Sequence, residues 1–239
     1  MPMPIMLRIP CLLLVLLPSF LGAQHLTYAE WQWQSVRDMR LAPRYGERQK
    51  NPEQLASDSA FVAQTLAVIP DRQQASDHLV DLGFEQLREG NMTHAMYRFN
   101  QAYLVEPENP AIYRGYGAFF MALDRTADAG RQYLDGLAID STDTALLNDF
   151  AAALMADEHR FKDSDPEKAE KSLNGAINVL ERVKYLEPTN AEGAFKLAVC
   201  YLYKGECLWA WRERDRCAAN GGAPLTPEFE AQLKAKCPR

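Results

Sequence analysis

Histidine is scarce in this chain, with 4 among 239 residues. His78, His94 and His159 have neither cysteine nor another histidine at ligand spacing, and no His-Glu-x-x-His run occurs. The glycine loop that cradles phosphates is missing, as is the Gly-x-Ser-x-Gly nucleophile elbow. There is no excess of basic charge either. Acids outnumber bases 32 to 26 and the two signs are interspersed, which argues against nucleic acid or an anionic membrane surface as partner. Acidic residues are numerous, but no pair stands apart from the solvated helix faces. These absences predict a chain that is not an enzyme and that carries neither metal nor cofactor.

Long apolar runs are also few. The only one, CLLLVLLPSFLG from Cys11 to Gly22, follows Arg8 and is too short to span a bilayer. It has the length of a secretory apolar core, so residues 1–23 read as a signal peptide cleaved after Ala23. The expected location is the periplasm or the exterior. The remaining chain would have 25 bases against 32 acids, a net charge of −7. No second apolar run follows, so the mature chain is expected not to insert in a membrane.

What the chain does have is a recurring phrase. LVEPENPAIY at 104–113 returns as AIDSTDTALL at 138–147 and as YLEPTNAEGA at 185–194. Pro107 and Ser141 are 34 residues apart, and each closes a segment of helical periodicity. A fixed period of this size predicts stacked helix–turn–helix units. The units are 76–109, 110–143, 144–190 and 191–224, the third being 13 residues longer than the 34-residue period. The eighth position is small each time (Gly83, Gly117, Ala151, Ala198), and the twentieth is Ala95, Ala129, Ala176 and Ala210. Two antiparallel helices approach closely only where both place small side chains at the crossing. Tyr113, Tyr116 and Phe120, then Leu147, Phe150 and Leu154, line the inner face of the first helices at steps of three and four.

These units resemble tetratricopeptide repeats, whose pattern is aromatic, Leu-Gly, aromatic, then Ala, aromatic, Ala and Pro. The second unit matches with Tyr113, Tyr116-Gly117, Phe120, Ala129 and Tyr133, with Gly136 for Ala and Ser141 for Pro. The first departs at Gln86, and the fourth at Arg214 and Gly222. The resemblance implies an all-α solenoid of about four repeats with helical caps at both ends. It also implies a protein or peptide partner held in the concave groove lined by the first helices. That lining would be Val80, Phe84, Arg88, Arg114, Met121, Asn148, Met155, Phe195, Leu202 and Tyr203. The Lys and Asn of the familiar clamp for acidic peptide ends are not in place, since Val80, Phe84, Arg114 and Ala118 hold those positions. The groove is therefore expected to be semi-apolar and to suit an apolar helix or extended segment. Whether the N-terminal segment fills it instead stays open.

In the long third unit, residues 157–165 (DEHRFKDSD) read as a charged loop. A capping box of Ser164 and Glu167 would then open the second helix at Pro166. That loop serves a partner or is simply solvated.

A repeat stack needs covers at its ends. Residues 24–75 are expected to be a helical cap in which Thr27 and Asn51 start helices, although Trp31 and Trp33 alternate as they would in a short strand. At the other end, 225–239 form a capping helix with Phe229, Leu233 and Cys237 at steps of four. The four cysteines after Cys11 lie in the last 40 residues at spacings of 7, 10 and 20, a pattern of disulfides rather than of zinc. Helix geometry places Cys207 and Cys217 too far apart to bond. The expected bridges are Cys200–Cys207 across the turn at Gly205 and Cys217–Cys237 tying down the cap.

The functional expectation is a non-catalytic, exported scaffold for protein–protein interaction. The alternatives are a structural subunit of an envelope assembly, or a glycan- or small-molecule-binding protein using Trp31 and Trp33. Oligomeric state is not legible.

Overall fold

The computed structural model describes residues 26–222 and 224–239, and the expected signal peptide lies outside them. Every regular element among these residues is helical. After α1 (Tyr28–Arg37) come two short turns, Met39–Leu41 and Pro43–Glu47, and then α2 (Pro52–Val68). Four hairpins follow: α3 (Arg72–Arg88) with α4 (Met92–Val105), α5 (Pro110–Ala122) with α6 (Thr126–Ile139), α7 (Thr144–Phe161) with α8 (Pro166–Leu186), and α9 (Ala191–Lys204) with α10 (Cys207–Ala219). α11 (Pro227–Lys236) closes the array. Each helix packs on its hairpin partner, and α3, α5, α7 and α9 also lie side by side. The architecture is an α-helical solenoid of four hairpins with helices at both ends.

The small residues of the crossings have visible causes. A Cβ at Gly83 would overlap the ring of Phe99, and one at Gly117 would overlap the ring of Tyr133. Ala95, Ala129, Ala176 and Ala210 are fully buried at the facing positions. In three hairpins the first helix stops at a left-handed residue fifteen places into the unit: Gly90 (φ +78°), Asp124 (φ +56°) and Gly205 (φ +78°). Glu158 holds that place in the third hairpin and stays helical.

That difference corrects the expected loop at 157–165. α7 continues to Phe161, so Asp157–Phe161 are helical, and a short turn alone separates it from α8. The cap of α8 is Asp165, whose carboxylate accepts the Lys168 N–H, rather than Ser164. The 13 additional residues lengthen both helices. Glu158 offers neither the flexibility nor the small polar side chain that a left-handed stop favours.

The ends behave partly as expected. Thr27 with Glu30 and Asn51 with Gln54 both form capping boxes, and Trp31 and Trp33 are helical rather than extended. Phe229, Leu233 and Cys237 are buried against Ala198, Leu202 and Ala210.

The expected disulfides are not those observed. Cys207 is bonded to Cys237, with Cα atoms 5.3 Å apart, and Cys200 and Cys217 are free and buried. α11 runs back along α10, so its last turn meets the first turn of α10, where Cys207 sits. The Trp211 indole N–H donates to the Cys237 carbonyl at 2.8 Å and fixes that register. Burial pushes the Cys200 thiol up to about 12, and it raises that of Cys217.

Candidate functional site

The expected groove residues separate into three groups. Val80, Asn148 and Leu202 are buried inside the stack and are not available to a partner. Phe195 and Tyr203 belong to the end cap: the Phe195 ring packs edge-on against Phe229 at 5.1 Å, and the Lys236 ammonium lies 5.8 Å from the Tyr203 ring. Phe84, Arg88, Arg114, Met121 and Met155 remain partly or fully exposed. Spacing alone does not separate these groups: Val80, Asn148 and Leu202 are buried, Phe195 is met by Phe229 of α11, and Tyr203 beside Lys236 stays exposed.

Three first helices are joined at the surface by one guanidinium. Arg114 on α5 lies 5.0 Å from the Phe84 ring on α3 and donates to Asp149 on α7 at 2.7 Å. Burial alone would lower the affinity of Arg114 for its proton. Together with those of Asp143 and Glu192, the Asp149 carboxylate outweighs that, and the guanidinium is held above its ordinary value. Deeper in, the Lys196 ammonium donates to the Asn148 carbonyl at 3.0 Å and pairs with Glu192 at 2.6 Å.

The N-terminal segment does not lie along this face. It packs on α4, α5 and α6, where Trp31 is buried against Phe119 and Phe120 of α5 and its indole N–H donates to the Leu41 carbonyl at 2.8 Å. Asn100 on α4 donates to the carbonyls of Arg40 and Ala42 at 2.7 and 2.9 Å. The Tyr116 hydroxyl donates to the Asn100 side-chain oxygen at 2.6 Å and accepts the Arg44 backbone N–H at 3.1 Å. Arg44 also pairs with Asp135 on α6 at 2.8 Å. These bonds hold four consecutive left-handed residues, Arg44, Tyr45, Gly46 and Glu47 (φ +53°, +59°, +63° and +55°). Left-handed backbone costs roughly 1–2 kcal/mol for each non-glycine residue, so such a turn persists only where its surroundings hold it.

Trp31 and Trp33 share no binding face. Trp31 is core, whereas Trp33 is exposed with the Arg37 guanidinium stacked 3.5 Å from its ring. The glycan reading therefore loses one of its two aromatic platforms. No group of three or more His, Cys, Asp or Glu among the described residues is placed to hold a metal ion.

Comparison with solved structures finds TTC0263, a thermophilic tetratricopeptide-repeat protein of Thermus thermophilus, at a TM-score of 0.57 and 19% identity. The match covers 67% of this chain and 80% of that one. The fold is that of a tetratricopeptide-repeat protein. MamA (TM-score 0.44, 17% identity, 67% of this chain and 91% of that chain) and PilF of Pseudomonas aeruginosa (0.37, 19%, 69% and 85%) overlay too loosely to add weight. No protein-family model and no curated protein matches the sequence. The tetratricopeptide fold accounts for the side-by-side first helices.

Proposed function

We propose that this chain is an exported, non-catalytic scaffold that binds a segment of another protein along the face formed by α3, α5 and α7. The observation that carries this reading is the path of the N-terminal segment. It engages α4, α5 and α6 through Asn100, Tyr116 and Asp135, while Phe84, Arg114 and Met121 are partly exposed. A half-buried aromatic beside an arginine and flexible methionines suits an apolar segment with an acidic flank. The Cys207–Cys237 bridge supports an oxidising compartment, as does the apolar run near the N-terminus. No helix among the described residues is long and apolar enough to cross a membrane.

The test combines Phe84→Asp, Arg114→Glu and Met121→Asp in one variant, with Trp33→Ala as control. Partners captured from an envelope extract are expected to be lost with the triple variant and kept with the control. Capture of the same set by the triple variant overturns the reading.

A further inference from the structure

Asn91, Met92 and Thr93 form the triplet Asn-x-Thr, the acceptor for N-linked saccharides in exported chains. No other asparagine of this sequence has serine or threonine two places on. The triplet lies in the turn between α3 and α4, directly after the left-handed Gly90. Its modification rests on the export proposed above.

The fold treats Asn91 differently from the asparagines that hold the same place at other helices. Asn51, Asn109 and Asn190 each precede a helix, and their side-chain oxygens accept a backbone N–H of its first turn. Asn91 precedes α4 in the same way, yet its side chain makes no such cap. A cap stabilises a helix by about 1 kcal/mol, so the usual reason for asparagine at this place does not apply. Asn100, Asn109 and Asn148 are buried, whereas Asn91 is exposed.

The amide nitrogen can carry a substituent without loss to the fold. Asn91 Nδ2 donates to the Glu89 carboxylate at 3.0 Å and to the Gln86 side-chain oxygen at 3.3 Å. A saccharide replaces one of its two hydrogens and leaves the other to keep one of these bonds. Beside the turn is a hollow of about 450 Å³, lined by Leu26, Glu30, Gln34, His94 and the triplet itself. Glu30, Gln34 and His94 can meet sugar hydroxyls there, and Leu26 offers an apolar patch to the face of a ring.

We propose that Asn91 carries an N-linked saccharide. The donor is a saccharide held on a polyprenyl pyrophosphate, and a membrane-bound transferase acts as the chain leaves the cytoplasm. Asn91 Nδ2 forms a bond to C1 of the sugar while the bond from C1 to the pyrophosphate oxygen breaks. The proton lost from Nδ2 leaves with the pyrophosphate. Met92 and Thr93 are helical in the folded protein and Met92 is buried, so transfer comes before α4 closes. The product suits the folded state, because Asn91 remains outside both the helix and the core.

The test uses the full chain purified from the organism that makes it, with its cellular location recorded. Tandem mass spectrometry of the peptide spanning Asn91 is expected to show a mass increment and sugar fragment ions, on a chain that has lost residues 1–23. In the same cells, Asn91→Gln and Thr93→Val are expected to lose the increment while keeping the wild-type circular dichroism. Thr93→Ser, which retains the hydroxyl, and Asn220→Gln, which lies outside the triplet, are expected to keep it. An exported, processed chain with an unmodified Asn91 overturns the proposal and leaves the export reading standing. An unprocessed chain held inside the cell overturns both. An increment that persists in Asn91→Gln puts the sugar elsewhere and also overturns the proposal.

Discussion

Gly83 on α3 lies against the ring of Phe99 on α4, with no room between them for a methyl group. The pair sets the approach of the first hairpin, and Gly117 with Tyr133 does the same in the second.

Gly83→Ala is therefore expected to destabilise the protein by about 1–3 kcal/mol through overpacking. This loss comes despite a helix preference for alanine of about 1 kcal/mol. Gly175→Ala, made where the added carbon meets only ordinary contact, is expected to stabilise the protein by about 0.5–1 kcal/mol. Urea denaturation of both variants checks the contrast. Equal effects from the two would show that the first crossing has room for a methyl group after all.

Asp124 takes the left-handed position that glycine holds in the first and fourth hairpins. Asp124→Gly removes the Cβ penalty but loosens the unfolded chain. The expected net gain is below about 1 kcal/mol. Thermal denaturation should show a small rise in Tm, and a clear fall would mean that the aspartate side chain makes a contribution the turn depends on.

The Cys207–Cys237 bridge closes a separation of 30 residues. Replacing both cysteines with serine is expected to cost roughly 3–4 kcal/mol in the chain-entropy model. A digest under non-reducing conditions should link the peptides holding Cys207 and Cys237. A thiol reagent should label Cys200 and Cys217 only after unfolding, because both are buried.

Asp38 ties the N-terminal segment down, accepting from Arg40 and from the Tyr97 hydroxyl at 2.8 Å. The hydrogen bond from Arg40 is the main reason that its carboxyl falls to about 2 from an ordinary 3.8. A carboxyl depressed in the folded state stabilises above its unfolded pKa and loses that contribution as pH falls through the folded one. The stability difference between wild type and Asp38→Asn should be full at about pH 6, shrink below about pH 4, be mostly lost at about pH 2 and vanish below it. A difference that does not change with pH would remove the assigned role of the charge.

Much of the repeat was legible because its signals are local. The 34-residue period, the small residues at crossings such as Gly83 and Ala95, and the caps at Thr27 and Asn51 act within a few turns of chain. The end of α7 was misread because a run of charges resembles a loop. A helix end is set by a residue able to turn left-handed, and Glu158 does not. The exposure of the first-helix residues was half legible, since position in a repeat says which way a side chain points but not how closely the next helix covers it. Val80 and Asn148 were lost to that packing, and Phe195 to the ring of Phe229.

The order of helices, their pairing into hairpins and the short-range chemistry of their ends were determined by the sequence alone. Each depends on residues close together in the chain. The partner of Cys207, the burial of Trp31 but not Trp33, and the path of the N-terminal segment over α4 to α6 were decided only in the tertiary structure. These depend on which distant surfaces meet. Asn100 and the backbone of Ala42 are 58 residues apart, and nothing in either local sequence announces the bond between them.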